Sequence, residues 1–478
     1  MLARVKNLPG PQGWPILGSL LEIDSSRIHI SFDKWAKQYG PLMSCNIARN
    51  VLVVISCPRL VKKALAEKSC SDVLNDRTET SFSKYIMDNA KGVIFGKYEP
   101  TTIQLKEIML KSLKMHGHGV PQYEAMAQKE LDQFMKSVAD QGDREFVLRE
   151  FVTKYVGNLV AILYSGSVLD ATDAKVIWEY NDAIKDSLDA STDTMLLMFP
   201  VLRFLPTSTG RIYRRSMEAK DELLKKFFQA HKETYQPGHE RGMVDLLLKF
   251  QSEGKKDGEI QCLTDPQIKA IIQDVIFGGI GSVTNSILST LLILLHHHEC
   301  VDKIYEEIVK VVGLDRCPSL QDRPAMSYTE AVILEALRYI SPVPISAPHR
   351  AMEEVELEGY TIPKDSLVIM NIWTIHHDPS IWGDPWIFRP ERFLDENGGL
   401  LPAEHTLRQS LLSFGTGPRR CVGEDLAKSR IFLCLTTLLQ KFDLLPPHIG
   451  TLISDDPRTF IPGGVLRPLD YKVRVVAR

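Results

Sequence analysis

The sequence has 478 residues, of which 44% are hydrophobic and 24% charged, so the chain can bury a large core. Its formal net charge is −3, and this balance gives no reason to expect a nucleic-acid partner. The eight cysteines are scattered, without a Cys-x-x-Cys pair, which disfavours a zinc site and a disulfide framework. No run of 18 or more apolar residues is present, so the sequence predicts no membrane-spanning helix.

The first half of the chain changes from strands to helices. Residues 41–57 alternate around a turn and predict a hairpin, which a short helix at 61–68 follows. From about residue 125 to 310, apolar residues recur at helical spacing and predict a helical bulk. The polar segment 251–262 predicts a solvated connection within it.

The second half returns to a mixed pattern. A strong helix is predicted over 327–340, and short strands follow over 355–371. A coil rich in Trp, Pro and Gly covers 376–420, a final helix spans about 424–441, and a strand pair closes the tail. The sequence therefore predicts a mainly α fold with small β-sheets.

The segment FGTGPRRCVG carries the strongest chemical signal. Phe414, Gly417, Arg419, Cys421 and Gly423 fill the pattern F-x-x-G-x-R-x-C-x-G. Glycine permits a tight turn beside a flat macrocycle. The cysteine also comes just before a predicted helix, whose N-terminal dipole favours a thiolate. A lone cysteine in such a loop would more often be structural, but the five matched positions favour an iron ligand.

On these five positions the chain resembles the cytochrome P450 family, and the resemblance extends from LPGPQGWPILG to the tail. It implies a haem-thiolate fold as one domain over residues 1–478, with haem b as the cofactor. Cys421 would be the axial ligand of the haem iron. Arg419 would pair with a haem propionate, and Phe414 would shield the sulfur. The chain looks closest to microsomal steroid and fatty-acid hydroxylases.

Two further segments agree with the resemblance. Glu335 and Arg338 in EALR lie three residues apart, on one face of a helix. Such a pair alone is usually an exposed, weak ion pair. Arg392 in FRPERF matches the arginine that completes a buried charge network in the family. The resemblance therefore implies a network of these three residues that fixes the loop of Cys421.

Two more segments, PISAPHRA and the one that contains Trp373 and His376, are interpreted through the same resemblance. His349 in PISAPHRA matches the position from which microsomal members bind a haem propionate. Arg350 is a second candidate for that role. Trp373 and His376 lie in a segment that resembles the family's W-x-x-H-x-D-P pattern, and packing and turn formation account for them.

The central helix departs from the family pattern [AG]-G-x-[DE]-[TS]. Aligned without a gap, residues 278–282 place Gly281 at the acid position and Ser282 at the alcohol position. A shift of one or two residues would offer Thr284 instead. We therefore expect protons to pass through Ser282 and water during catalysis. The glycines also weaken the helix by about 1 kcal/mol each, which suits a local opening, although close helix packing explains them equally well.

A second departure affects haem retention. The segment YEPTTIQLKEIMLKSLKMH matches the helix that supplies Trp and Arg to a propionate in the family. Thr102 stands where Trp is expected, and Lys106 stands where Arg is expected. Lys106 could bind a propionate as a point charge, without the bidentate fork of arginine.

The resemblance also predicts the surroundings of the substrate. The lining would come from parts of 80–98, 190–206, 278–282, 343–347 and 460–465. The segment DTMLLMFPVLRFLP at 193–206, followed by RIYRR, suits contact with a membrane surface, with an ordinary core segment as the alternative. Microsomal relatives carry a spanning helix before LPGP. Its absence here predicts a truncated protein of the endoplasmic reticulum membrane, on the cytosolic face.

The sequence thus predicts a monooxygenase acting on a lipophilic small molecule such as a steroid, fatty acid or xenobiotic. Its expected electron donors are an NADPH-dependent flavoprotein reductase and cytochrome b5. Two alternatives stay open. One is an isomerase or lyase acting on an oxygenated lipid, since such relatives do not need the acid and alcohol. The other is a protein that binds haem or lipid without catalysis.

Overall fold

The computed structural model describes residues 8–15, 17–47, 50–87, 91–116, 120–167, 171–187, 192, 195–196, 199–253, 263–448 and 450–478. Within these, the α-helices are α1 Ile28–Tyr39, α2 Pro58–Leu65, α3 Lys68–Leu74, α4 Pro100–His116, α5 Pro121–Ala139, α6 Leu148–Ser165, α7 Ala171–Ser187, α8 Ser208–Leu224, α9 Ala230–Thr234, α10 Met243–Glu253, α11 Asp265–Gly279, α12 Gly281–His296, α13 His298–Val311, α14 Ser327–Ile340, α15 Ile372–His376, α16 Pro379–Trp382, α17 Thr406–Ser410 and α18 Glu424–Lys441. The strands are β1 Leu42–Ile47, β2 Asn50–Ile55, β3 Asp76–Arg77, β4 Phe146–Val147, β5 His349–Arg350, β6 Val355–Leu357, β7 Tyr360–Ile362, β8 Leu367–Met370, β9 Phe442–Leu445 and β10 Lys472–Ala477. The predicted fold class, mainly α with small sheets, is confirmed.

Most predicted elements are present at or near their expected bounds. The predicted hairpin is the antiparallel pair β1 and β2, and the helix predicted over 327–340 is α14. The helix predicted at 61–68 instead begins at Pro58 and ends at Leu65, because proline suits the first turn of a helix. The predicted solvated connection at 251–262 lies mostly outside the described residues.

The chain forms two compact units, each assembled from separate segments. The first unit comprises residues 1–78, 289–421 and 453–469, and the second comprises 79–288, 422–452 and 470–478. The first contains the five-stranded sheet, in the order β1-β2-β8-β5-β3, and the β6-β7 hairpin. The second contains helices α4 to α11, helix α18 and the sheet β4-β10-β9. A single domain over residues 1–478 stays a prediction.

The sheet of the first unit is buried on both faces. Along β2, Val53 and Ile55 belong to one apolar cluster, while Leu52 and Val54 belong to another. Successive side chains of a strand point to opposite faces, so this alternation places a core on each side of the sheet. Strand β8 pairs with β2 in parallel and aligns Val368 with Val53. The sheet thereby fixes the segment that enters α15.

Helix α14 is enclosed on all sides. Every residue from Thr329 to Ile340 is buried, including Glu335 and Arg338 of the EALR motif. Helix α13 is amphipathic by contrast, with Cys300, Ile304 and Ile308 buried at four-residue spacing. A fully buried helix can carry charged side chains only if they are paired. Because α14 is buried, Glu335 and Arg338 do not form the exposed, weak ion pair that their spacing alone would suggest.

In the second unit, the central helical stretch is interrupted at its glycine-rich segment. Helix α11 ends at Gly279 and α12 begins at Gly281, with Ile280 between them. The amide of Ile280 still donates to the carbonyl of Ile276, over a long 3.3 Å. An interruption here agrees with the predicted weakness of a helix that contains several glycines.

Among the described residues, the stretch Asp265–His296, which comprises α11 and α12, is long and apolar enough to cross a membrane by length and composition. Of its most apolar window, 78% is buried inside the protein. Burial of that extent is typical of a core helix, so the apolar composition is explained by packing within the protein.

Candidate haem-binding site

Cys421 ends a tightly turned loop in the first unit. Gly415 and Gly417 each have a φ of +69°, in the left-handed region that favours glycine. The amide of Cys421 donates to the carbonyl of Phe414 over 2.9 Å, which closes the loop on itself. The cysteine is exposed, whereas Cys45 and Cys434 are among several buried cysteines. The loop therefore presents a thiol on its open side.

The same loop rests on the end of helix α2. A Cβ atom added at Gly417 would lie 2.0 Å from the carbonyl oxygen of Leu65, so no other residue fits there. Nearby, Asn75 donates from Nδ2 to the carbonyls of Leu65 and Ser71. The Nε of Arg419 donates to the carbonyl of Asn75 over 3.0 Å. The fixed glycine of the motif is thus explained by a close backbone approach.

The predicted charge network is present and completely buried. Arg338 donates to both oxygens of the Glu335 carboxylate, from Nε at 2.8 Å and from Nη2 at 2.7 Å. Arg392 donates to the same carboxylate from Nε at 3.2 Å, and the amide of Arg389 adds a fourth bond at 3.0 Å. The remaining donors of Arg392 reach the carbonyls of Trp382, Asp384 and Ile387. The carboxylate is therefore fully hydrogen-bonded, as burial of charge requires.

A chain of hydrogen bonds connects this network to the Cys421 loop. The Nη1 of Arg338 donates to the carbonyl of His376 over 2.8 Å. The Nε2 of His376 accepts from the amide of Leu412, two residues before Phe414, over 2.9 Å. Burial holds the pKa of His376 well below its usual value, so the ring is neutral and its Nδ1–H donates to the hydroxyl of Ser341. The network therefore holds the start of the loop through His376.

Strands β3 and β5 bring Arg77 and His349 together in the first unit, near Arg419. The register aligns Arg77 with His349, so their side chains share one face of the sheet. Burial, with a further contribution from the charge of Arg419, lowers the pKa of Arg77 to about 9. The Nη1 of Arg77 donates to the carbonyl of Ala347 over 2.9 Å. Two guanidinium groups and an imidazole thus converge beside the loop.

The imidazole of His349 is neutral at pH 7, because burial and then the charges of Arg77 and Arg419 hold its pKa well below the usual value. Its Nδ1 donates to the carbonyl of Leu74 over 3.1 Å, so Nε2 in this tautomer can only accept. His349 would need a second proton to donate to a carboxylate. Arg350 lies on the opposite sheet face, within 3.5 Å of Asp76 and 3.4 Å of Asp365.

These residues fit a haem. Guanidinium forks are suited to the carboxylates of haem propionates, and the mutual repulsion of the half-buried Arg77 and Arg419 would be relieved by such anions. The thiol on the open side of a glycine loop suits an axial iron ligand. With a haem bound, Cys421 would hold the iron, and Arg77 and Arg419 would hold propionates.

The predicted relay residues lie in the second unit, around the interrupted helix. The hydroxyl of Ser282 donates to the carbonyl of Gly278 over 2.6 Å. The hydroxyl of Thr284 is buried and has no hydrogen-bond partner within the described residues. A Cβ atom added at Gly281 would meet nothing within 4 Å, so close helix packing does not explain this glycine.

The other predicted residues of the second unit are placed by their helices. Lys106 is half-buried on α4, two residues before a buried pair formed by Ile108 and Met109. Thr102 is buried on the same helix. Gly423 is the N-cap of α18, and its carbonyl accepts from the amide of Ala427 over 2.8 Å. The helix after Cys421 therefore begins where the sequence predicted.

Sequence reasoning missed two residues of the first unit. Arg77 has no local pattern around it, and only the pairing of β3 with β5 places it beside His349. Packing and turn formation were the roles predicted for His376, but its ring also accepts the hydrogen bond that positions Leu412. The W-x-x-H spacing was the available signal for His376.

Comparison with known proteins agrees with this geometry. The family model for Cytochrome P450 matches residues 8–475. Cytochrome P450 2U1 of Bos taurus is 30% identical over 465 residues, covering 92% of this chain and 84% of that protein. Steroid 17-alpha-hydroxylase/17,20 lyase of Ictalurus punctatus is 31% identical over 473 residues, covering 98% and 90%. A zebra fish cytochrome P450 structure with progesterone superimposes with a TM-score of 0.81 at 27% identity, covering 94% of this chain and 99% of that one. The chain belongs to the cytochrome P450 family.

Proposed function

We propose that this protein inserts one oxygen atom of dioxygen into a steroid, a fatty acid or a xenobiotic, with electrons from an NADPH-dependent flavoprotein reductase. Family membership makes it a haem-thiolate monooxygenase that uses haem b, a lipophilic substrate and a redox partner. Cytochrome b5 is proposed as a second electron donor.

The Cys421 loop carries this proposal. A monooxygenase of this family needs a thiolate held rigidly at the iron, because the ligand sets the electron density available to dioxygen. Here the loop is closed by its own backbone bond, seated on Leu65 through Gly417, and held at Leu412 by His376. The haem, when bound, supplies the activation of dioxygen. Arg77 and Arg419 would orient it through its propionates, and His349 would join them only after taking up a second proton.

Proton supply would fall to the residues around the helix interruption. Ser282 already bonds the carbonyl of Gly278, and its hydroxyl can pass a proton by rotating toward water. Gly281 provides no carboxylate, so water takes the place of the family's acid. The buried hydroxyl of Thr284, two residues after Ser282, is a second possible proton donor. This chain is therefore expected to waste more reductant than a relative with the full acid and alcohol pair.

The proposed lipophilic substrate, and the proposed location on the cytosolic face of the endoplasmic reticulum membrane, are supported by an exposed apolar surface. Within the predicted segment 193–206, Phe199, Val201, Phe204 and Leu205 are exposed by 40% or more. These four residues therefore lie at the surface, whereas Leu196 in the same segment is buried. Exposed apolar side chains next to the basic run 211–215 suit contact with anionic headgroups.

The test is a turnover assay with reductase, NADPH and isotopically labelled dioxygen, after a spectral binding screen of steroids, fatty acids and their peroxides. We expect a product that contains one labelled oxygen atom and forms only while reductant is consumed. Conversion of a lipid peroxide without reductant or dioxygen would contradict the proposal and indicate the isomerase or lyase alternative. Binding of lipids with no conversion at all would indicate a binding protein.

A further inference from the structure

We infer that Asp274 is a positioning residue for the monooxygenase reaction, an inference that rests on the proposed function. Its carboxylate fastens the segment 92–96 to the central helix, next to the glycine-rich segment 278–282. The fastened segment limits the unproductive reduction of dioxygen to hydrogen peroxide. All of these residues belong to the second unit.

The backbone of the segment 92–96 needs hydrogen-bond partners from elsewhere in the chain. The segment forms neither helix nor strand, and Val93 is buried. Buried backbone N–H groups outside regular secondary structure are paired by other groups. The amides of Val93 and Ile94 both donate to Oδ2 of Asp274, over 2.5 Å and 3.1 Å. Bonds from backbone amides to a carboxylate are stronger than bonds between neutral groups, so these two hold the segment in place.

The segment also lies close against helix α11. Asp274 is on this helix and is only 2% exposed. A Cβ atom added at Gly92 would lie 2.3 Å from Oδ2 of Asp274, so the approach requires a glycine there. The ring of Phe95 lies 5.6 Å from the ring of Phe277, which is one turn beyond Asp274. The segment therefore contacts α11 through its backbone and through a side chain.

These contacts bring Ile94 to the border of the glycine-rich segment. A Cβ atom added at Gly278 would lie 3.7 Å from Cδ1 of Ile94, which is an ordinary van der Waals distance. Gly278 is exposed, and its carbonyl accepts from the hydroxyl of Ser282. Asp274, Gly278 and Ser282 follow one another at four-residue spacing, so they lie along one side of the helical stretch. The carboxylate that holds Ile94 is thus one turn before Gly278.

The position of Ile94 affects the reaction because water takes the place of an acid at Gly281. In the side reaction, NADPH and one proton reduce dioxygen to hydrogen peroxide, and two electrons are lost without product. Exclusion of bulk water from a reacting site is a general means of preventing such losses. Held by Asp274, Ile94 narrows the approach of water to Ser282. Release of the segment should therefore raise the loss of reductant.

The first measurement is hydrogen exchange of the segment in the haem-loaded enzyme, followed by mass spectrometry. We expect slow exchange at Val93 and Ile94 in the wild type. Asp274→Ala removes the acceptor and should speed this exchange about tenfold or more. Asp274→Asn keeps an acceptor oxygen and should restore much of the protection. Asp265→Ala is the matched control, because it removes a partly exposed partner of Lys232 at the start of the same helix, and it should change nothing in the segment.

The second measurement is the rate at which the same variants form hydrogen peroxide with reductase and NADPH, without a substrate. Asp274→Ala should raise this rate severalfold, and Asp274→Asn should lie near the wild type. Ile94→Ala should also raise the rate, while exchange at Val93 stays slow because the bonds to Asp274 remain. Agreement between Asp274→Ala and Ile94→Ala would locate the effect at the border of the glycine-rich segment.

Three results would overturn the inference. Val93 and Ile94 could exchange rapidly in the wild type, Asp274→Ala could speed exchange without raising peroxide formation, or Ile94→Ala could leave peroxide formation unchanged. The wild-type exchange and Ile94→Ala, which only shortens a half-buried side chain, decide the matter if Asp274→Ala fails to fold. A failure of the proposed function would appear differently, because the wild type would consume no NADPH with reductase while the segment stayed protected.

Discussion

The Cys421 loop and the glycine-rich segment 278–282 differ in how closely each keeps the sequence pattern of the family. Around the loop, each position of the family pattern is filled, and the carboxylate of Glu335 accepts four hydrogen bonds. In segment 278–282 the acid position is glycine, and the helix is interrupted at Ile280. Buried charges tolerate no missing partner, whereas water can replace a proton carrier beside open space. The site that would hold the cofactor is therefore constrained more strictly than the one that would move protons.

Removal of the ligand should give the largest effect. Cys421→Ala should abolish the red-shifted Soret band of the reduced carbon monoxide complex, because no thiolate would remain on the iron. Cys317→Ala, at a half-buried cysteine elsewhere in the first unit, should keep the band. A wild-type protein that is folded and loaded with haem, yet shows the spectrum of a histidine-ligated haem, would refute the assignment of Cys421.

Loss of the network carboxylate should come next. Glu335→Ala leaves Arg338 and Arg392 buried without their counter-ion, which should lower the free energy of unfolding by about 3 to 5 kcal/mol. Haem content should fall with it, because the bonds through His376 position the Cys421 loop. The matched control is Glu391→Ala, which removes an exposed pair with Lys303 in the same segment as Arg392 and should cost about 1 kcal/mol or less.

Thermal melting and haem content per chain measure this difference. Equal, small effects of Glu335→Ala and Glu391→Ala would mean that the network contributes nothing special to the loop. Loss of haem without loss of stability would mean that Glu335 only positions the Cys421 loop and does not stabilise the fold.

Changes of the relay should give the smallest effect and can even improve the enzyme. Gly281→Glu restores the acid of the family where a new Cβ meets no neighbour, so the fraction of reductant that ends in product should rise. Ser282→Ala should lower that fraction. Product and peroxide formed per NADPH consumed are the measurements. Tight coupling in the wild type that survives Ser282→Ala would instead implicate Thr284 or the substrate as the proton source.

Much of the fold was predictable because local patterns and tertiary burial agree. The bounds of α14 and α18 follow from apolar spacing and from the residues at their ends. The helix interruption at 280 was signalled by glycine composition. Short elements were less predictable, since β3 and β5 have two residues each and exist only through their pairing.

The candidate site divides in the same way. The sequence motifs predicted Cys421, the charge network and the departure at Gly281, because each depends on residues at fixed spacing within one or two short segments. Arg77 was not identifiable, because its relation to His349 arises from the register of two strands whose paired residues, 77 and 349, are 272 positions apart in the sequence.

The sequence by itself determined the family and the cofactor, and it predicts Cys421 as the iron ligand, since a thiolate loop needs its glycines and its cysteine at fixed distances along the chain. Only the tertiary structure decided that His376 holds the loop and that His349 is neutral in a tautomer whose Nε2 accepts. Burial, tautomer and pKa depend on which distant residues surround a group. A linear pattern does not contain that information, because the dielectric and the hydrogen-bond partners are supplied by other segments.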